Sequence, residues 1–161
     1  MIRGKLIFYF CFFSCLSMVF SSCSTKKKTW FSRQYHNTTA RYNGYFNGNE
    51  SIKYGVKKIN DSFEDDYSTI LPVFKTGNLK KSKSTHPYMD KAIQKGSIVI
   101  QKHSIKIRGK EYCRWIDDNY FMIGKAYYYK GEFDEAIKTF SFIMEEYKKS
   151  CLLYTSPSPR D

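Results

Sequence analysis

The most regular stretch of this chain is residues 117–150, near its C-terminal end. Ile116, Tyr120, Ile123 and Tyr127 recur at steps of four, three and four, and Phe133, Ile137, Phe140, Met144 and Tyr147 repeat the rhythm. Such steps put each set on one face of an α-helix. The pattern predicts two amphipathic helices joined by a tight turn at Gly131. Glycine takes up the left-handed conformation that ends a helix, and Lys130 suits the negative helix end. Upstream, one helix is expected from about Asn37 to Phe46. After a break near Asn47-Gly48, a second is expected to start behind Asn49 as N-cap and to carry Ile52, Val56 and Ile59. Residues 63–87 read as loop, because Pro72, Gly77 and Pro87 interrupt them. Residues 88–106 return to helix, with Met89, Ala92, Ile93, Ile100 and Ile105 as core stripe and Gly96 as a point of close contact. The fold class expected is all-α.

The last helical pair resembles a tetratricopeptide (TPR) unit, a helix–turn–helix of about 34 residues. The matching residues are Tyr120 at the usual Trp position, Ile123-Gly124, Tyr127, Gly131, Ala136 and Phe140, with Ile143 at a usually small site. Lys148 stands where the family usually ends on Pro. Gly124 and Ala136 are expected to let the two helices approach closely while the aromatics fill the space around them. An ordinary helical hairpin is the alternative. SIKYGVKKI at 51–59 echoes AIKTFSFIM at 136–144, with Ser51 matching Ala136 and Gly55 in place of Phe140, like a degenerate repeat half. One unit cannot bury its own faces, so such units stack. The resemblance implies a TPR-like helical-hairpin solenoid, an alpha–alpha superhelix, with a degenerate helical repeat region and basic loop over 35–114 and a TPR repeat over 115–150. By the family pattern the concave groove is lined by Asp118, Phe121, Lys125, Tyr128 and Tyr129. Three aromatics, a cation and an acid suit peptide recognition. Packing of Phe121 and Tyr128 against a preceding helix is the competing possibility.

The N-terminus has a different character. Arg3 and Lys5 precede fifteen uncharged, mostly apolar residues, 6–20. This is the layout of a secretory signal, and it falls short of the about 20 residues a spanning helix needs. The following Ser21-Ser22-Cys23 resembles the lipobox of bacterial lipoproteins, with Phe20 where Leu is usual. The expected organisation is a lipoprotein signal peptide over 1–22, lipid attachment at Cys23 and a polar tether over 23–34. An uncleaved anchor and plain signal cleavage are the alternatives. By analogy with bacterial lipoproteins, Ser24 in place of Asp and the absence of acidic residues directly after the cysteine imply an outer-membrane protein facing the periplasm. Lys26, Lys27 and Lys28 either lie on anionic headgroups or form a solvated linker. The final residues 151–161, with two Ser-Pro pairs, resemble translated adapter read-through and are expected to be a non-native tail.

The formal net charge is +12, and it is uneven. Residues 75–114 hold eleven Lys or Arg against two acids, whereas 115–150 hold five against seven. A basic segment meets a membrane surface, an acidic protein partner or solvent. The export signal argues against nucleic acid. Five cysteines give no disulfide framework: Cys11 and Cys15 lie in the signal, Cys23 is the lipid site, Cys151 is in the tail, and Cys113 remains, read as a small core residue. His36, His86 and His103 are far apart in sequence and lack acidic or cysteine neighbours at ligand spacing, so no metal is expected, nor any cofactor. Enzymatic function needs a nucleophile with its base, paired carboxylates or a metal. The pairs Asp117-Asp118 and Glu145-Glu146 read as solvated helix positions, so no catalytic residue is assigned.

The phrase ARYNGYFNGNE at 40–50, the WFSRQYHN opening at 30–37, the lipobox and the repeat together resemble Bacteroidota TPR lipoproteins of the gliding-motility and type IX secretion kind, the SprE/PorW type. That resemblance implies a lipid-anchored scaffold or adaptor binding envelope proteins through its TPR groove, with no small-molecule substrate. It also implies a longer protein with more repeats beyond this point. A BamD-like lipoprotein of outer-membrane β-barrel assembly, and a piece of a periplasmic cell-wall enzyme, are the other candidates.

Overall fold

The computed structural model describes residues 29–71 and 83–148. The expected signal peptide, Cys23, residues 72–82 of the expected loop and residues 149–161 lie outside the described residues. The elements are α1 (Trp30–Thr39), a π-helical segment (Ala40–Phe46), α2 (Asn47–Asp61), α3 (His86–His103), β1 (Lys106–Ile107), β2 (Lys110–Glu111), α4 (Ile116–Lys130) and α5 (Phe133–Glu146). A short 3-10 turn, Lys83–Thr85, leads into α3. No described helix is long and apolar enough to cross a membrane.

The first helix is one uninterrupted run from Trp30 to Asp61, where the sequence suggests a break at Asn47-Gly48. Its buried positions explain the π segment. His36, Ala40, Gly44 and Gly48 are all buried and stand four apart. In an α-helix each four-residue step drifts about 40° around the axis, so four such residues would not stay on one line. Wider π turns cancel that drift and keep all four facing inward. Asn49, expected as an N-cap, lies inside the run, and Asn47 Nδ2 donates to the carbonyls of Asn43 (3.0 Å) and Tyr42 (3.4 Å). Beyond Gly48 the burial returns to α-helical steps: Ser51 and Ile52, Gly55, Ile59.

Small residues on this run let α3 lie close against it. A side chain at Gly44 would collide with Val99, and a Cβ at Gly55 would stand 2.5 Å from Met89 Cε. Ser51 Oγ donates to the Tyr88 carbonyl at 2.9 Å. Because 44 meets 99 and 51 meets 88, the two helices run antiparallel. Pro87 sits at the start of α3, where its missing N–H leaves no intrahelical bond unmade. The buried stripe of α3 is Met89, Ala92, Gly96 and Val99, with Ile93 and Ile100 half-buried beside it.

Between α3 and α4 the chain makes a small hairpin. Arg108 and Gly109 both take positive φ, 50° and 77°, in the two-residue turn. That is the turn chemistry of a tight hairpin, with glycine at one position and strain accepted at the other. Glu111 organises the exit. Its Oε1 accepts from the backbone N–H groups of Ile105 (2.8 Å), Tyr112 (2.9 Å) and Cys113 (2.9 Å), and Ser104 Oγ donates to Oε2.

The antiparallel hairpin α4–α5 follows. Gly131 ends α4 at φ 87°. Its N–H donates to the Tyr128 carbonyl at 3.1 Å, and the N–H of Glu132 donates to Tyr127 at 3.0 Å. These two bonds form the left-handed cap that satisfies the last carbonyls of a helix. Gly124 and Ala136 are both buried, and a Cβ at Gly124 would lie 2.6 Å from Phe140 Cε1. Tyr120 closes the other end of the hairpin, with its ring centroid 4.9 Å from Phe142 and 6.1 Å from Tyr147.

The chain is thus mostly helical, with four packed helices, each lying mainly against its neighbours in sequence. α4 is the inner one. Met122, Ile123 and Ala126 are buried together with Ile116 and Asn119, because α3 lies on one side of α4 and α5 on the other. Among the described residues α5 has a helix packed against one side alone. Its buried residues are Ala136 and Ile143, whereas Phe133, Ile137 and Met144 of the sequence-derived stripe are exposed, Ile137 at 62 %.

Candidate protein-binding surface

The five residues expected in a groove all lie on one face of α4. Counted at 100° per residue, Asp118, Phe121, Lys125, Tyr128 and Tyr129 fall within about a third of the helix circumference. All five are half-buried. The structure divides them into two groups. Phe121, Lys125 and Tyr128 lean to the α5 side: Phe121 stands 5.7 Å from the Phe140 ring, Lys125 Nζ is 5.9 Å from the centre of Phe121, and Tyr128 is 5.7 Å from Phe133. Asp118 and Tyr129 lean to the side of the first run. Tyr129 packs against the core cluster of Ile52, Met89, Ala92, Met122 and Ala126. Tyr128 and Tyr129 touch edge to face at 5.6 Å. Phe121 and Tyr128 therefore do pack on a helix, but on the one that follows α4 rather than on a preceding one.

Asp118 is not the solvated acid its sequence position suggests. Burial, and after it the neighbouring Asp117 carboxylate, push its pKa up to about 6. Among the described residues it forms no ion pair. Tyr45, from the π segment, is pushed up by burial first and by Asp118 second. The Tyr45 ring lies 5.3 Å from Trp115, and the Arg41 guanidinium sits 5.0 Å over that same indole. Tyr45, Trp115 and Arg41 thus extend the α4 stripe towards the first helical run. Sequence reasoning missed them, because contacts across more than seventy residues leave no periodic trace; the aromatic richness of residues 40–50 was the one available signal.

The arrangement offers aromatic faces, one cation and one easily protonated acid on a single ridge. It places no nucleophile beside a base. Among the described residues no group of three or more His, Cys, Asp and Glu is placed to hold a metal. His36 and His103 are the surprise, since distance in sequence implied separation. Their Nδ1 atoms stand 2.8 Å apart. Cys113 is buried, and burial raises its thiol to about 11. Glu146 pairs with Lys106, tying the end of α5 to the small hairpin. A separate concavity of about 400 Å³ lies on the other side of α4, bounded by Tyr120, Ile123 and Tyr127 with Ile100 of α3 and Phe142 of α5. Cys23 is outside the described residues. No protein-family model and no curated protein matches the sequence.

Proposed function

We propose that this chain is a lipid-anchored scaffold or adaptor of the TPR type, held at the outer membrane through Cys23 and facing the periplasm. It serves type IX secretion and gliding motility by binding segments of envelope proteins. The α4–α5 hairpin carries this reading. Gly124 lies under Phe140, Ala136 is buried between the helices, and Gly131 turns the chain with a left-handed cap. These are the positions at which the sequence resembles a TPR unit.

The mechanism is tethering, stacking and capture. Lipid on Cys23 holds the chain at the membrane; each buried methylene contributes about 0.8 kcal/mol, so several acyl chains make the anchor effectively permanent. The uncovered apolar row Phe133, Ile137 and Met144 on α5 is where a further helical pair stacks. The ridge of Phe121, Lys125 and Tyr128 takes a protein segment, with the aromatics as anchors and Lys125 choosing acidic neighbours. A neutral Asp118 at mildly acidic pH removes a charge from the ridge.

The test has two arms. In a Bacteroidota host, a clickable palmitate analogue is expected to label the wild type and leave Cys23→Ala unlabelled. Envelope cross-linking followed by pull-down is then expected to recover partners with the wild type, and to lose them with Lys125→Glu and with Tyr128→Ala. Absence of label on the wild type sinks the anchor. Partner recovery unchanged by both ridge variants sinks the binding surface.

A further inference from the structure

A cleft of about 300 Å³ opens between the first helical run and α3, and it shares no residue with the α4 ridge. Tyr35, Thr39 and Asn43 form one wall, and Lys95, Lys102 and His103 the other. Ile98 and Val99 make an apolar floor between the two lysines, which stand two helical turns apart, about 10 Å along the axis. No carboxylate lines the cleft. Among the described residues neither Lys95 nor Lys102 forms an ion pair. Two uncompensated cations facing hydroxyl and amide donors across an apolar floor suit an anion.

The backbone supplies a second observation. Asn43 and Gly44, which both line the cleft, belong to the π segment, and π turns within helices are frequent at functional sites. The third is the histidine pair. His103 lines the cleft, and its Nδ1 is 2.8 Å from Nδ1 of the buried His36. At that distance one ring donates N–H and the other accepts.

We infer that this cleft binds an oxyanion, a carboxylate or a phosphate group, and takes up one proton from solvent as it does so. In the bound state His103 is the imidazolium. Its Nδ1–H donates to Nδ1 of His36, and its Nε2–H is left to the anion, beside Lys95 and Lys102. The groups facing His103 are Tyr35 and His36 from α1 and Lys102 from its own helix; Cys113, from the segment after the small hairpin, reaches the His36 carbonyl with its thiol at 3.9 Å. In the empty cleft burial, then His36, then Lys102 hold His103 below the usual histidine range. An anion reverses that balance, so its affinity rises as pH falls through the histidine range.

Sulfate is the probe, because its charge is constant over the range used. It is titrated into the full chain in detergent at about pH 5.5 and about pH 7.5, with side-chain histidine NMR as readout. Saturable binding is expected, about tenfold tighter at the lower pH, as one charge-assisted hydrogen bond implies. The double variant Lys95→Gln/Lys102→Gln is expected to weaken binding at least about tenfold at both pH values. His103→Gln is expected to keep the lysine-dependent part and lose the pH dependence. Far-UV circular dichroism checks that both variants are folded. Competition by glycerol phosphate against acetate then separates phosphate from carboxylate sources. Absence of saturable sulfate binding, or binding indifferent to the lysine pair, overturns the site. A pH dependence that survives His103→Gln overturns the proton uptake.

Discussion

Gly124→Ala tests the contact on which the helical hairpin is built. A Cβ at this position would lie 2.6, 2.8 and 3.0 Å from Phe140 Cε1, Cζ and Cδ1. Carbon atoms rest at about 3.5–4.0 Å, so the ring must retreat by roughly 1 Å. The Phe121 ring, 5.7 Å away, packs on it and resists that shift. Overpacking of this sort costs about 1–3 kcal/mol. Against it, alanine is favoured over glycine inside a helix by about 1 kcal/mol. The net effect expected is a loss of up to about 2 kcal/mol. Sign and cause are separated by a double-mutant cycle with Phe140→Leu, which removes the obstructing ring. In that background Gly124→Ala has space and is expected to stabilise by about 1 kcal/mol, so the two changes couple by about 1–3 kcal/mol. The assay is urea unfolding followed by far-UV circular dichroism. Stabilisation by about 1 kcal/mol in both backgrounds, as propensity alone would give, refutes the close approach.

Three further outcomes follow from the geometry. Asp118 has a folded pKa raised to about 6, so the stability it contributes is complete below its ordinary value and lost as pH rises through about 6. Asp118→Asn is therefore expected to raise the melting temperature at pH 7.5 and to leave it unchanged at pH 4; because the group is half-exposed, the gain is under about 1 kcal/mol. Glu111→Ala strips the acceptor from three backbone N–H groups and is expected to cost about 2–3 kcal/mol in urea unfolding, with Glu111→Gln keeping part of that. Cys113 is expected to resist a disulfide reagent at pH 8 in a chain whose Cys11, Cys15, Cys23 and Cys151 are serine, and to react at once in urea; fast reaction in the native chain contradicts its burial.

Much of the local structure was legible from neighbouring residues. The turn at Gly131, the close approach at Gly124 and Ala136, and the helix across Ile98–Ile100 all follow from spacing and glycine placement, and the structure has them. The stripe on α5 was half legible. Periodicity finds an apolar face, but it cannot tell whether a partner covers it, and Phe133, Ile137 and Met144 are uncovered here. The ridge on α4 was legible as a face and illegible as an environment, since nothing beside Asp118 in sequence announces that Tyr45 lies near it.

The sequence alone determined which stretches are helical, the turn at Gly131 and the residues small enough to sit between helices. These depend on interactions within three or four residues, which a linear pattern records. The tertiary structure alone decided that α1, the π segment and α2 form one run, because the inward line from His36 to Gly48 is imposed by α3 and the segments beyond it. It alone brought together His36 and His103, 67 residues apart, with Lys95 and Lys102 close by. Antiparallel packing sets such meetings, through which turn of one helix faces which turn of the next. That register is fixed by the fit of small residues against large ones, Gly44 against Val99 and Gly124 against Phe140, and it is written in no single stretch of the chain.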